Sequence, residues 1–532
     1  MKKNFIRLFI TLLVGAVYYY LLLPPINFQS FAFLSFLLFL LITYLITGLI
    51  NFNVLDVRNM FYRQPKFELN STNLIYVSIL LIMVLPILIN FVLSPLFFAK
   101  SFSQRIVVDE NQEFTKDVAQ VDFNLFPLID KDSSRKLGDR VMGQMPELVS
   151  QFDVSNLYTQ INYKNEIIRV TPLEYSGFFK YLANKADGVK GYIKVNSVNG
   201  NVELVKLDKG MKYVDSSYFS TDLNRKLRFS YPTLIFDDKS FEVDEEGTPY
   251  WIVPTSKFTG IELKKEISGV VILNAITGDS KYYDVADVPT WVDHVYPSEL
   301  ILEQLDHWGK YSNGFLNTLF GQKDVITTTA GYNYLVMNND IYLYTGITSV
   351  LTDEANIGFV LTNSRTKETR FYSVPGAEEF SAMASAEGQI QQMKYKATFP
   401  LLINLNNKPT YMISLKDNAG LVKMYAFVDM VDYQKVVVTD ASLGIEKAAE
   451  NYLGGNIDVE EDKLTTSTIK ISSINMVVID GNSYYYITDA NNDKYKAKIK
   501  IAKDKLPFLR VGDKLEIGYK EKKDLTEILM IK

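Results

Sequence analysis

The chain has 532 residues, a formal net charge of −5, 47% hydrophobic residues and no cysteine. Without cysteine there are no disulfides, iron–sulfur clusters, thiolate zinc sites or thiol nucleophiles. The acidic balance supplies no global attraction to nucleic acid or to anionic envelope polymers.

Three apolar runs open the chain: Phe5–Leu23, Phe31–Ile50 and Leu74–Leu96. Each has about the 20 residues that an α-helix needs to cross roughly 30 Å of hydrocarbon, so the pattern predicts three transmembrane helices. Lys2, Lys3 and Arg7 precede or open the first run, Pro24–Ser30 carries no charge, and Asn51–Asn73 carries Arg58, Arg63 and Lys66. Short positive loops stay in the cytoplasm. This predicts a multi-pass membrane protein with its N-terminus cytoplasmic and everything after about residue 99 extracytoplasmic. The bulky Tyr18–Leu23 stretch and Pro24-Pro25 offer no small-residue cleavage site, so the first run reads as a retained helix. No run has an ionisable residue in its interior, which argues against a transporter or pump. Pro86 predicts a kink, and Asn90 and Ser94 are placed to bond a neighbouring helix. An extracytoplasmic region without disulfides fits a bacterium, and the abundance of Lys, Asn, Ile and Tyr suits an AT-rich, low-GC Gram-positive genome.

Beyond the runs the chain repeats itself. Gly191–Gly200 and Gly269–Gly278 share the spacing G-x4-N-x3-G, with Asn196 and Asn274 in the middle; Gly358–Lys367, around Asn363, loses only the last glycine. A degraded fourth copy runs from Tyr425 through Asp432 to Val438. The pattern predicts a strand, a tight turn in which Asn and Gly accept positive φ, and a returning strand. Another hairpin is expected before each copy: Leu157–Tyr163 with Ile167–Thr171, Tyr231–Phe236 with Pro249–Pro254, Tyr332–Met337 with Ile341–Thr345, and Phe399–Asn404 with Pro409–Ser414. Apolar residues at spacings of three and four predict helices over Ser133–Phe152, Pro297–Lys310 and Gly376–Lys394, with a shorter one near Ser220. One helix on about four antiparallel strands is an α+β unit, and four such units can pack as an array.

Helix, hairpin and a strand ending in N-x-x-[TN]-G resembles PepSY-type modules, small extracytoplasmic bacterial domains associated with peptidase propeptides or inhibition. Lys136–Arg140, Val149–Phe152, Tyr158–Asn162, Val170–Glu174 and Val288–Asp293 also resemble a family of Gram-positive polytopic membrane proteins, a resemblance that implies topology and repeats but no activity. The tail differs. After a helix expected over Ser442–Tyr452 and a break at Gly454-Gly455, five strand-like runs with Val511–Ile517 resemble an OB-type small barrel. Tyr484, Tyr485, Tyr486 and Tyr495 are candidates to stack on bases or sugars, although alternate tyrosines in a small barrel are more often packing residues.

The fold class expected is thus three N-terminal transmembrane helices, an α+β extracytoplasmic region of repeated helix-plus-sheet modules, and a small C-terminal β-barrel. Residues 1–98 form the anchor (helices near 5–23, 31–50 and 74–96), 99–132 a connector, 133–217, 218–296, 297–375 and 376–440 the four PepSY-like modules, 441–463 a helical linker and 464–532 the OB-like barrel.

Material for catalysis is scarce. The two histidines, His294 and His307, belong to no zincin, P-loop or nucleophile-elbow motif. Asp293 and His294 are adjacent and so point apart in a strand, and His307 sits near a helix end. The acidic stretch Asp237, Asp238, Glu242, Asp244, Glu245 and Glu246 lacks EF-hand spacing and reads as a solvated loop. Glycosidase carboxylates, which need not be close in sequence, stay open. No catalytic, cofactor-binding or metal-ligating residue is assigned, and no cofactor is expected. The expected partners are the lipid bilayer and another envelope protein, not nucleic acid. The function expected is a non-enzymatic, membrane-anchored protein that binds or regulates another cell-envelope protein or scaffolds a membrane complex; the alternative is a glycan-binding or glycan-hydrolysing envelope protein.

Overall fold

The computed structural model describes residues 2–50, 71–110, 112–123, 126–350, 352–454, 465–479, 482–519, 522 and 524–531. Arg58, Arg63 and Lys66, on which part of the topology expectation stood, lie outside the described residues, as does Gly455.

Four sheets with one shared antiparallel strand order follow one another; the third also takes in Val108–Asp109, parallel to Thr369–Tyr372, and Gly376–Ala377. In the first, Phe152–Val154 and Thr159–Tyr163 lie in succession along one edge of Glu166–Tyr175, and Val189–Asn196 and Val202–Met211 complete the other side. The second repeats this with Ile235–Phe236 and Ser240–Val243 along Pro249–Thr259, then Lys264–Asn274 and Ser280–Asp284. The third uses Ile326–Thr328 and Asn333–Met337, Asp340–Ser349, Thr352–Asn363 and Thr369–Tyr372; the fourth uses Lys396–Ala397 and Leu401–Leu405, Lys408–Lys416, Val422–Asp429 and Val436–Asp440. One main helix precedes each: Lys131–Gly143, Leu223–Ser230, Ser298–Tyr311 and Glu379–Gln389. The first of these stops well short of Phe152, because the chain turns at Met145-Pro146.

The turn chemistry explains the repeat. In the first three copies the asparagine side chain accepts the amides two and three residues on: Asn196 from Val198 and Asn199, Asn274 from Ile276 and Thr277, Asn363 from Arg365 and Thr366. Asp429 does the same with Val431 and Asp432, so it is the fourth copy's turn residue. Four residues on, Gly200 and Gly278 have φ of +74° and +77°, and Lys367 accepts +65° in the third copy. The leading glycines are set by contact: a Cβ on Gly191, Gly269 or Gly358 would stand 2.5, 2.3 or 2.2 Å from the carbonyl oxygen of Val205, Tyr283 or Tyr372. A β-bulge lies one residue before each of them, and another before Met424 in the fourth copy.

The residue after each turn asparagine or aspartate receives the segment that leads into its own unit. Ile129 donates to Ser197 O, Lys212 and Tyr213 to Ala275 O, Val295 and Tyr296 to Ser364 O, and Ala377 to Met430 O. In the first, third and fourth units the main helix opens just beyond that contact, at Lys131, Ser298 and Glu379, whereas in the second it opens only at Leu223, after the turn Phe219–Thr221. Asp130 and Asp222 then cap their helices by accepting from Ser133 N and Arg225 N. The cores pair the sheets. Ile168, Val170, Trp251 and Val271 belong to one cluster joining the first and second sheets, and Tyr344, Phe359, Tyr411 and Phe427 to another joining the third and fourth. Each fully buried side chain of this size contributes about 1.5–3 kcal/mol.

The N-terminal expectation is corrected. Among the described residues one helix, Asn4–Leu22, is long and apolar enough to cross a membrane; Phe31–Thr47 is apolar but shorter. The third run is not one straight helix. Val77–Val92 and Pro95–Ser103 meet at 59°, because Ser94-Pro95 ends one helix and starts the next. Composition alone predicted three spans, whereas the described residues hold one such helix, or two if the bent pair is counted as a single broken span.

The tail differs from the expectation in detail. Six strands rather than five form its sheet, because the last segment is divided in two. Thr465–Ile479 serves two ladders, pairing first with Lys514–Tyr519 and then with Asn482–Asp489, and it bends at the bulge around Ser472. The last segment is split at Leu529: Thr526–Ile528 runs parallel to Lys494–Lys498, and Met530–Ile531 pairs with Lys514–Tyr519.

Candidate functional site

Gln160 and Arg169 stand directly opposite each other in the first sheet, so their side chains share a face. Arg169 Nη2 donates to Gln160 Oε1 at 2.6 Å, and Nη1 donates to the carbonyl of Ile129. Arg169 is buried, with 6% of the residue exposed, and among the described residues no carboxylate lies within ion-pair distance of it. Burial lowers its pKa to about 10, against the opposing effect of the Asp130 charge. Gln160 Nε2 is buried without a hydrogen-bond partner.

These two residues line a cavity of about 350 Å³ to which three sheets contribute. Tyr158, Gln160 and Arg169 come from the first, Tyr332, Asn333 and Tyr334 from the third, and Phe399, Leu401, Met412 and Ser414 from the fourth, while Asp130–Asp132 form the rim. Asp130 is held there by Lys416 and by its capping bond. Burial opposes its ionisation, but the Lys416 hydrogen bond and charge outweigh it and its pKa falls below the ordinary value.

The first three sheets meet at a second polar cluster. Glu242 and Asp293 are 0% and 2% exposed. Glu242 accepts from Asp293 N at 2.9 Å, His294 N at 3.2 Å and Ser240 Oγ at 2.8 Å, and Asp293 Oδ2 accepts from Asn162 N at 2.7 Å. Burial, then the neighbouring Glu242 charge, raises the Asp293 pKa well above the ordinary range. The Asp237–Glu246 stretch is therefore not uniformly a solvated loop: Ser240–Val243 is a strand, and Glu242 is turned inward to the junction.

The histidines go to structural partners. His294 shares a hydrogen bond with Gln160 O at 2.7 Å and packs on Tyr334, while His307 Nδ1 lies 2.9 Å from Arg105 Nη1. Burial and the Arg105 charge lower the His307 pKa. Among the described residues no group of three His, Cys, Asp or Glu is placed to hold a metal. In the tail, Tyr484, Tyr485 and Tyr495 are buried, as packing residues are.

The apolar N-terminus is fixed to the repeats. Arg228 donates to Leu23 O at 2.9 Å, Arg225 lies over the Tyr20 ring, and Tyr19 packs on Phe229. Arg105, after the bent helix, pairs with Glu303 at 2.6 Å and Glu266 at 3.4 Å and donates to Lys265 O. Around these attachments the surface is apolar: Phe219, Phe229, Ile261, Leu316, Leu319 and Phe320 are 53 to 83% exposed. An open concavity of about 670 Å³ between Leu96–Gln104 and Asn313–Asn317 lies at the same end.

Sequence reasoning did not single out Arg169 or Gln160. The available signal was an arginine inside the apolar strand Ile167-Ile168-Arg169-Val170, where a buried charge needs a partner. Comparison of the chain with protein-family models and with curated proteins finds no match.

Proposed function

We propose that this is a membrane-seated protein of the bacterial cell envelope, with its N-terminus cytoplasmic and its repeats outside, that binds another envelope component without turning it over. The docking of the apolar N-terminal helix on the repeats carries this reading. A simple tether needs no contact with its cargo, yet here Arg225 and Arg228 bind the end of the helix and Arg105 locks the following segment to the second sheet and to the helix Ser298–Tyr311. Lys2, Lys3 and Arg7 at the start of the helix favour a cytoplasmic N-terminus. Exposed apolar residues grouped where the helix joins the body suit contact with a lipid surface. The cavity bounded by three sheets is the place to receive a ligand.

A photo-crosslinking residue at Lys131 or Asn333, on or beside the rim, tests this in native cells against Phe508, which is 77% exposed on the tail. Adducts at the cavity positions and not at Phe508 are expected; equal labelling at all three refutes the reading. The aromatic wall of Tyr332, Tyr334 and Phe399 also suits a sugar ring, and on this second reading the cavity adduct is wall glycan and disappears after muralytic digestion.

A further inference from the structure

We propose that the three-sheet cavity recognises a carboxylate, with Arg169 as its principal donor; this deepens the binding function proposed above and rests on it. A buried charge is normally neutralised by a partner in its own protein, because taking it out of water costs several kcal/mol. Arg169 has no carboxylate partner among the described residues, and only two of its donor nitrogens are bonded, one to a carbonyl and one to an amide oxygen. An arginine has five N–H donors in a planar fork that matches a carboxylate, so donor capacity is left over at the wall of a cavity. The same wall holds Gln160, whose amide nitrogen lacks an acceptor.

The surroundings select among anions. Lys131 and Arg169 line the cavity together with Asp130 and Asp132, and Lys416 pairs with Asp130 from beside it, three cations against two carboxylates. One net positive charge is balanced by a monoanion, whereas doubly charged phosphate carries a larger desolvation cost and leaves an uncompensated negative charge. A cavity of about 350 Å³ is at the small end of ligand sites, and Tyr332, Tyr334 and Phe399 give the body of the ligand an apolar wall. The recognised group is therefore the carboxylate of a small or terminal moiety, with aliphatic or ring carbon beside it.

The test is saturation-transfer NMR on the full-length protein in detergent micelles. The probes are N-acetylalanine and glucuronate, each paired with its neutral counterpart, N-acetylalanine amide and glucose, and inorganic phosphate competes. At least one acid is expected to bind about tenfold or more tightly than its neutral partner, since a charge-assisted fork is lost with the charge, and phosphate is expected to compete weakly. Whichever acid binds identifies a peptide-type or a sugar-type source. Arg169→Lys is expected to weaken the acid and leave the neutral probe unchanged; because the acid–amide comparison is made on the wild-type protein, it holds even if substitution at Arg169 disturbs folding. Equal binding of acid and neutral probes overturns the carboxylate assignment while leaving a binding cavity in place. No binding of any probe at 10 mM (roughly the weakest affinity that small fragments show) also overturns it, and the cavity crosslinks described above then decide the wider function separately.

Discussion

Asp293→Asn provides the sharpest test of the junction between the first three sheets. Asp293 is 2% exposed, faces Glu242 and feels the charges of Asp340 and Arg365, while Asn162 N bonds its carboxyl. Burial and the Glu242 charge raise its pKa above the ordinary 3.8. A carboxyl whose folded pKa is raised holds a proton that the unfolded chain releases, so its contribution is fully present below the unfolded pKa. It is lost as pH rises toward the folded value, at about 1.4 kcal/mol per pH unit within that window. Asparagine keeps an oxygen to accept from Asn162 N and cannot ionise. The variant should gain on the wild type as pH rises inside that window, by on the order of 1 kcal/mol per pH unit, which is a relative rise in melting temperature of a few degrees per unit. Thermal unfolding of both proteins at pH 4.5, 5.5 and 6.5, followed by tryptophan fluorescence, measures this. Parallel curves, or a variant that loses stability relative to wild type as pH rises, would refute the assignment of a shifted carboxyl to this junction.

Gly358→Ala places a Cβ 2.2 Å from Tyr372 O, so about 1–3 kcal/mol should be lost, with similar losses for Gly191→Ala and Gly269→Ala in denaturant titrations. Arg105→Met removes the 1%-exposed guanidinium shared by Glu266 and Glu303, while Lys367 still pairs with Glu266 and Glu303 reaches solvent; about 1.5–3 kcal/mol is expected, with faster hydrogen exchange in Pro95–Ser103 and Ser298–Tyr311. Phe320→Trp and Ile261→Trp in full-length protein reconstituted in vesicles should be quenched by brominated lipid, and Phe508→Trp should not. Equal quenching at all three positions removes the apolar end as the lipid-facing surface.

The repeat was legible because its chemistry is local. Asn196, Asn274 and Asn363 bond amides two and three residues away, and such a turn is written in consecutive residues whatever surrounds it. Helix positions were similarly readable, apart from ends such as Met145-Pro146 that a long apolar periodicity runs through. The number of membrane-crossing helices was not readable, because hydropathy counts apolar residues while the 59° break at Ser94-Pro95 is a matter of backbone direction. Glu242 looked like one member of an acidic loop, and only its strand's place against His294 and Asp293 turned it inward.

By itself, then, the sequence determined where the turns lie, the succession of strands and the apolar start of the chain, all properties of neighbours within a few residues, although Asn196, Asn274 and Asn363 act through their side-chain oxygens and not through positive φ. Tertiary structure alone decided that Arg169 faces Tyr334 and Met412 across one cavity, and that Glu242, Asp293 and Asn162 share a junction. Those groups lie many residues apart in the chain, and a charge acquires its meaning from what excludes water around it and what stands opposite.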